Sequence, residues 1–310
     1  MTKCNLPESK THLLSVGLYG NLNPMIRIVL LLLIALFALP ANSGDQNQHI
    51  AGVSTKLLDK GKLRLRSEGV LIADHSGNIL FSRNADTPRP IASVTKLMTA
   101  VVTLEAKLPL EEKITITKAD RDLRQLTGSR LKVGATLTRK ELLTLAMLSS
   151  ENRAALALGR TYPGGSNAFA KAMNNTAKQL GMKHSNFIDA AGLSPNNLST
   201  PNDLFKLMKA AEKHALLKRI AQTRSTTVRP YKRLGPLRYV NTNRFSRNKS
   251  WSLLLSKTGF LTEAGRCLVM KARVDNQEVT MILLDSYGKL TPFGDANRAR
   301  EWLKRYRKSA

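Results

Sequence analysis

The sequence predicts an α+β fold: an antiparallel sheet flanked by helices, with a mostly helical region inserted between its first strands and its last. Three observations carry this. Two short apolar runs joined by a Gly-containing turn lie near residue 70, helical periodicity runs from Ser93 to about Leu217, and three apolar runs follow Trp251. The chain has 310 residues, enough for a substantial core, and its 42% hydrophobic and 23% charged content is that of an ordinary globular protein.

The elements follow in order. Residues 69–74 (GVLIAD) and 78–83 (NILFSR), joined at His75-Ser76-Gly77, read as a β-hairpin. TPRP at 87–90 then breaks the chain. From Ser93, Val94, Leu97, Met98, Val101 and Leu104 recur at helical spacing, and apolar or small residues fill the other faces, so this helix is buried. The middle section, 108–217, holds a helix at 139–148 (RKELLTLAML), a second after Ser150 and a third from Ser166 toward Gly181. A fourth opens at Thr200-Pro201-Asn202-Asp203 with a cap residue, a first-turn proline and an acidic residue. Strands at 251–259, 266–274 and 278–284 come next, the last two joined by an Asp275-Asn276 turn, and residues 293–306 form a final helix for the sheet.

The formal charge of +27 points to an anionic partner: nucleic acid, an acidic membrane surface or an anionic cell-wall polymer. The N-terminus chooses among them. In residues 25–43 (MIRIVLLLLIALFALPANS), Arg27 precedes twelve uninterrupted apolar residues, and Pro40 leads to Ala41-Asn42-Ser43. That is the layout of a secretory signal, too short to span a bilayer comfortably. Residues 1–43 are therefore expected to be a cleaved signal peptide, with Met25 the more ordinary start, followed by a polar, flexible lead-in at 44–66. Cleavage removes Lys3, Lys10, Arg27 and Glu8, three cations and one anion, leaving +25. An exported protein does not meet nucleic acid, so cell wall or envelope is the expected partner. The two cysteines, Cys4 and Cys267, fall on either side of the cleavage, which leaves no internal disulfide; Cys267, in the run CLVM, reads as a buried hydrophobe.

Lys96 stands out. It is the one charged residue between Arg89 and Glu105, and a lysine in apolar surroundings loses hydration and tends to shed its proton. Ser93 lies three residues earlier, on the same helical face, within reach of the amine. A serine hydroxyl becomes a nucleophile when a base takes its proton, and a neutral lysine is such a base. The pattern S-x-x-K also occurs at Ser129–Lys132, Ser246–Lys249 and Ser286–Lys289, but only Ser93 opens a long apolar helix. Two further elements complete the set. Ser150-Glu151-Asn152 sits at a junction between helical segments, and Lys257-Thr258-Gly259 ends a strand whose buried part is SLLL.

In the order S-x-x-K, S-x-N, KTG, these motifs resemble those of the penicillin-recognising serine enzymes. Over residues 66–305 the chain is most similar to the low-molecular-mass D-alanyl-D-alanine peptidases. The stretches RPIASVTKLMTA, LSSENRAALALGRTYPGG, NTNRF and KTGFLTEAGRCLVM resemble the penicillin-binding protein 7 type, the endopeptidases among them. The resemblance implies a β-lactamase/transpeptidase-like fold, with residues 67–310 as the penicillin-binding serine peptidase domain. It implies that Ser93 forms the acyl-enzyme, Lys96 takes its proton and Ser150 relays a proton to the leaving amine. Asn152 would orient the substrate amide, Lys257 and Thr258 would bind the substrate carboxylate, and Gly259 would let the acyl chain lie against the strand. The oxyanion would sit between the backbone N–H groups of Ser93 and Phe260. The implied partners are peptidoglycan stem peptides and, as covalent inhibitors, β-lactam antibiotics, with loose association to anionic envelope surfaces, a periplasmic location and no cofactor or metal. Lys257 beside Lys96 would push the pKa of Lys96 down.

Other chemistries fit less well. A class A β-lactamase needs a carboxylate to hydrolyse the drug ester, and around 187–197 the only acid is Asp189, which reads as a turn residue, so slow deacylation is expected. There is no G-x-S-x-G elbow for a His-assisted hydrolase and no H-E-x-x-H for a metal site. An inert envelope-binding protein would have no need of Ser93, Lys96 and Ser150 together. Trimming of terminal D-alanine is the alternative to cross-link cleavage. The 51 residues after Gly259 leave no room for the further β-rich domain that carboxypeptidases of the family often carry, which leans the expectation toward endopeptidase.

Overall fold

A computed structural model describes residues 63–309; the expected signal segment and most of the lead-in lie outside the described residues. The chain opens with the expected hairpin, β1 (Ser67–Ala73) and β2 (Ile79–Arg83). A two-residue strand β3 (Arg89–Pro90), a 3-10 turn (Ala92–Thr95) and α1 (Lys96–Glu105) follow. The middle section contains β4 (Lys113–Thr115), β5 (Thr136–Thr138), α2 (Arg139–Leu148), α3 (Asn152–Arg160), α4 (Gly165–Gln179), β6 (Leu198–Ser199), α5 (Pro201–Ala211) and α6 (Ala215–Gln222). A hairpin of β7 (Ser225–Val228) and β8 (Leu237–Val240) precedes the last strands, β9 (Ser252–Leu261), β10 (Gly265–Val274) and β11 (Gln277–Ser286), and α7 (Thr291–Ser309) closes the described chain.

Five strands make one antiparallel sheet in the order β2-β1-β11-β10-β9. Side chains alternate across it, because successive Cβ atoms in a strand point to opposite faces. Leu71, Ala73, Val269, Ile282 and Leu284 enter a core shared with α1 to α6, while Val70, Ile72, Leu268, Met270, Met281 and Leu283 enter a second core under α7. From α7 that core takes Ala296, Ala299, Trp302 and Leu303. Each large apolar side chain so buried contributes about 1.5–3 kcal/mol. The strands are apolar on both sides because both faces are covered.

Local chemistry explains where the helices start. Thr138 and Glu141 cap the N-terminus of α2 reciprocally. Thr200 accepts from Asp203 N–H at 3.1 Å, and Pro201 occupies the first turn of α5, as expected. Asp275 and Asn276, with φ of 49° and 62°, make the tight turn between β10 and β11.

Three features differ from expectation. Leu63 and Leu65, which the sequence placed in the lead-in, are buried in the second core, and the N–H groups of Arg66 and Ser67 donate to the buried Asp295 carboxylate. β9 does not end at Gly259 but runs on to Leu261, because Phe260 and Leu261 pair with Arg266 and Gly265. The short strand pairs β3–β6 and β4–β5, the β7–β8 hairpin and α6 were not foreseen.

Candidate active site

Three segments distant in sequence converge on one cleft: the turn before α1, the α2–α3 junction and the edge strand β9. Ser93 lies in the 3-10 turn, and Lys96 is the first residue of α1. With about three residues per turn, positions i and i+3 of a 3-10 turn sit one above the other. Lys96 Nζ accordingly lies 2.7 Å from Ser93 Oγ. It also donates to Asn152 Oδ1 at 2.7 Å and to the Ala191 carbonyl at 2.6 Å, so all three ammonium donors have partners.

Lys96 has no solvent exposure, and burial lowers its pKa to about 7; the charges of Asp189, Glu151 and Asp122 act the other way. Lys257, 1% exposed, donates to Ser150 Oγ at 2.9 Å and to the Thr258 carbonyl at 2.7 Å. Burial first, and then the charge of Lys96, hold its pKa well below the usual lysine range. The expectation that Lys257 is what depresses Lys96 is therefore corrected: desolvation lowers Lys96, and the repulsion between the two amines is felt at Lys257.

The backbone is unusual at both serine loops. Ala92 (φ 47°) and Ser150 (φ 59°) occupy the left-handed region, which residues with a Cβ rarely adopt and which surrounding packing must hold. Ser150 bridges the C-terminus of α2 and the N-cap of α3. There the middle residue of the motif, Glu151, accepts from Ser129 Oγ at 2.6 Å and Arg153 N–H at 3.3 Å. Gly259 explains how β9 reaches the turn that carries Ser93. A Cβ at this position would lie 2.9 Å from Ile91 O and 3.1 Å from Ser93 N, so only glycine permits the approach. As the sheet's edge, β9 pairs with β10 alone and leaves alternate backbone groups free. Phe260 is half exposed, with the Arg266 guanidinium 3.6 Å above its ring.

Ser93, Ser150, Asn152, Thr258, Gly259 and Phe260 line a cleft of about 720 Å³. Lys96 and Lys257 lie behind it and reach it through Ser93 and Ser150. All eight residues singled out from the sequence are thus brought together. The sequence did not point to their supports: the Ala191 carbonyl on Lys96, Thr127 Oγ1 accepting from Asn152 Nδ2 at 2.8 Å, and Thr242 Oγ1 at 2.8 Å from Thr258 Oγ1. The stretch NTNRF was the one available signal, since it contains Thr242. The other S-x-x-K serines are engaged elsewhere: Ser129 with Glu151, Ser246 with the Asn243 carbonyl, and Ser286, buried at the end of β11, with Ser67. Cys267 is a buried hydrophobe, its thiol pushed up to about 12 by burial.

Asp189 is a turn residue. Its carboxylate accepts from the N–H groups of Ala191 (2.8 Å), Gly192 (2.6 Å) and Ser194 (2.9 Å) and from Asn197 Nδ2 (2.8 Å), which leaves no free lone pair for a base. This knot fixes the segment whose Ala191 carbonyl holds Lys96. Replacing Asp189 with asparagine is expected to cost about 1–3 kcal/mol in denaturant unfolding, since the amide cannot accept all of these bonds. It also removes a charge that raises the Lys96 pKa, so the acid limb of any Ser93 acylation should move to lower pH. A limb that stays in place or moves up would contradict this coupling.

A depressed amine against one hydroxyl, a second amine–hydroxyl pair facing it and a free strand edge form the constellation for acyl transfer through a serine ester. The comparisons with known proteins agree. The family model for D-alanyl-D-alanine carboxypeptidase, peptidase S11, matches residues 61–288. A D-alanyl-D-alanine endopeptidase of Pseudomonas aeruginosa is 45% identical over 244 residues, which are 77% of this chain and 78% of that protein. One of Escherichia coli is 40% identical over 241 residues, with the same shares. The fold is similar to that of a Streptomyces DD-transpeptidase, with a TM-score of 0.72 and 29% identity over 77% of this chain and 97% of that one.

Proposed function

The chain belongs to the S11 family of D-alanyl-D-alanine peptidases, and from that premise we propose that it cleaves the D-alanyl cross-links of peptidoglycan through an acyl-enzyme on Ser93. Its β-lactamase/transpeptidase-like fold accords with this chemistry. The observation that carries the reading is the buried Lys96 amine, poised near neutrality 2.7 Å from the Ser93 hydroxyl.

In this reading neutral Lys96 takes the Ser93 proton as Oγ attacks the carbonyl carbon of the D-alanyl residue. The developing oxyanion sits between the N–H groups of Ser93 and Phe260, where fixed donors stabilise charge without reorganising. As the C–N bond breaks, Ser150, held by Lys257, passes a proton to the leaving amine. Asn152 orients the substrate amide, Lys257 and Thr258 hold the carboxylate beside the scissile bond, and Gly259 leaves room for the acyl chain along β9. Water then hydrolyses the ester and restores Ser93. A β-lactam follows the first half of this path. Its ester should last, because the nearby carboxylate, Asp189, is occupied by its own loop.

The 45% and 40% identical relatives named as endopeptidases support cross-link cleavage, whereas the family's description favours terminal carboxypeptidase action as the second reading. The signal-like residues 25–43 support export to the periplasm, and the net charge of +27 supports loose association with anionic envelope surfaces. One experiment on cross-linked sacculi tests the set. Fluorescent penicillin should give a covalent band that Ser93→Ala removes, released dimers should fall to monomers, and sacculus-bound protein should wash off as salt rises. Loss of terminal D-alanine alone would move the assignment to carboxypeptidase. Absence of a covalent band would remove the acyl-enzyme.

A further inference from the structure

The cleft does not end at the serines. Beyond Phe260 it is lined by Arg244, Arg247, Arg266 and Lys289, and no acidic residue lines it. A second groove of about 690 Å³ shares Arg244, Arg247, Leu290 and Phe293 with the cleft and adds Lys249 and Asn297, again with no carboxylate. The two therefore form a continuous cationic track. Arg247 is exposed and anchored through one guanidinium nitrogen to the Asn241 carbonyl at 2.8 Å, which leaves its remaining N–H groups to donate into the groove. Arg244, Arg247 and Lys249 form no ion pair among the described residues, unlike Arg160 with Asp120 or Lys271 with Glu212, and here it is their position along one groove that matters. Exposed cations left unpaired along a groove that opens from a reaction centre make an anion-recognition surface.

Resting on the peptidase reading above, we propose that this track receives the leaving peptide of a cross-link and that Arg247 and Lys249 select it by a carboxylate remote from the scissile bond. A single terminal residue as leaving group would be satisfied at Lys257 and Thr258 and would have nothing to place in the second groove of about 690 Å³. A second peptide strand extends past them, and the track offers it guanidinium and ammonium groups for a carboxylate and the apolar sides of Leu290 and Phe293 for its carbon chain. Arg247 and Lys249 touch neither serine and are specificity residues in this scheme.

The test uses the full protein and two synthetic cross-linked dimers that differ only in the leaving strand, whose remote carboxylates are free in one and amidated in the other. The natural enzyme should show KM about tenfold lower for the free acid, with similar kcat, and salt should erode the difference. Arg247→Gln/Lys249→Gln should cleave both dimers alike. Lys249→Gln alone, at an exposed side chain, should reduce the preference partway, which guards against misfolding of the double variant. Equal KM values for the two dimers in the natural enzyme, or a preference that survives in the double variant, would overturn the proposal. Penicillin labelling of the same preparations keeps the outcomes separate: labelling without carboxylate preference defeats this inference alone, and absence of labelling defeats the peptidase reading.

Discussion

Replacing Lys96 with methionine is expected to slow acylation of Ser93 by about three to four orders of magnitude, the scale of losing a well-placed general base. Methionine preserves the length and apolar stem of the side chain in a site with no solvent exposure, so the helix should stay packed. In the proposed mechanism the neutral amine is the active form. With the pKa near 7, the acylation rate should climb about tenfold per pH unit below that value and level off above it. Stability should follow the same group. Between about 7 and the ordinary lysine value of 10.5 the unfolded chain holds a proton that the native site has shed, so unfolding free energy rises with pH across that window. In Lys96→Met the rise should be shallower, with Lys257, also depressed by burial, supplying what is left. Stopped-flow acylation by a chromogenic β-lactam and urea unfolding at several pH values measure both. A methionine variant that acylates within tenfold of the natural rate would remove Lys96 from the chemistry.

Gly192→Ala should damage the site without touching a reactive atom. Gly192 has φ of +75°, and a Cβ there would lie 2.0 Å from the Ala92 carbonyl oxygen and 2.8 Å from Thr95 Oγ1. The left-handed backbone alone costs an alanine about 1 kcal/mol. The overlap is with main chain, which cannot swing aside, so the total should reach about 3 kcal/mol or more. Ala92 itself is held at φ 47° next to Ser93, and relief of the clash would displace the turn that carries Ser93. Denaturant midpoints and acylation rates should therefore fall together. A variant as stable as the natural protein would mean that the Gly192 loop and the turn are not in the contact described.

The main elements were legible in the sequence because each leaves an apolar mark. The short continuous apolar runs near residue 70 and at 266–284 come from strands covered on both faces, and the helical spacing after Ser93 comes from a buried helix. The reactive residues were legible for a different reason, since a lysine amid apolar neighbours violates the rule that cations stay wet. What escaped notice lacks either mark. The Ala191 carbonyl that holds Lys96 comes from 95 residues away and belongs to a loop without periodicity, organised by the backbone bonds of Asp189. The hairpin of STTV and LRYV is short and polar, with its apolar Val228 and Tyr239 too isolated to form a pattern. The strand that carries Lys257 was legible but was ended two residues early, because KTG reads locally as a strand exit and only the pairing of Phe260 with Arg266 and of Leu261 with Gly265 keeps β9 extended.

The order of strands has a temporal consequence. β1 lies between β2 and β11, so Ser67 meets Ser286 across more than two-thirds of the chain. A polypeptide emerging from its N-terminus presents Ser93 and Lys96 early, yet Lys257 arrives on β9 and the first strand waits for β11 before its second edge is filled. Pairings across such separations form slowly, since a long loop must close before any contact rewards it. The cleft is therefore a late acquisition, and a half-made chain carries the Ser93 alcohol and the Lys96 amine without the strand that completes the proposed site.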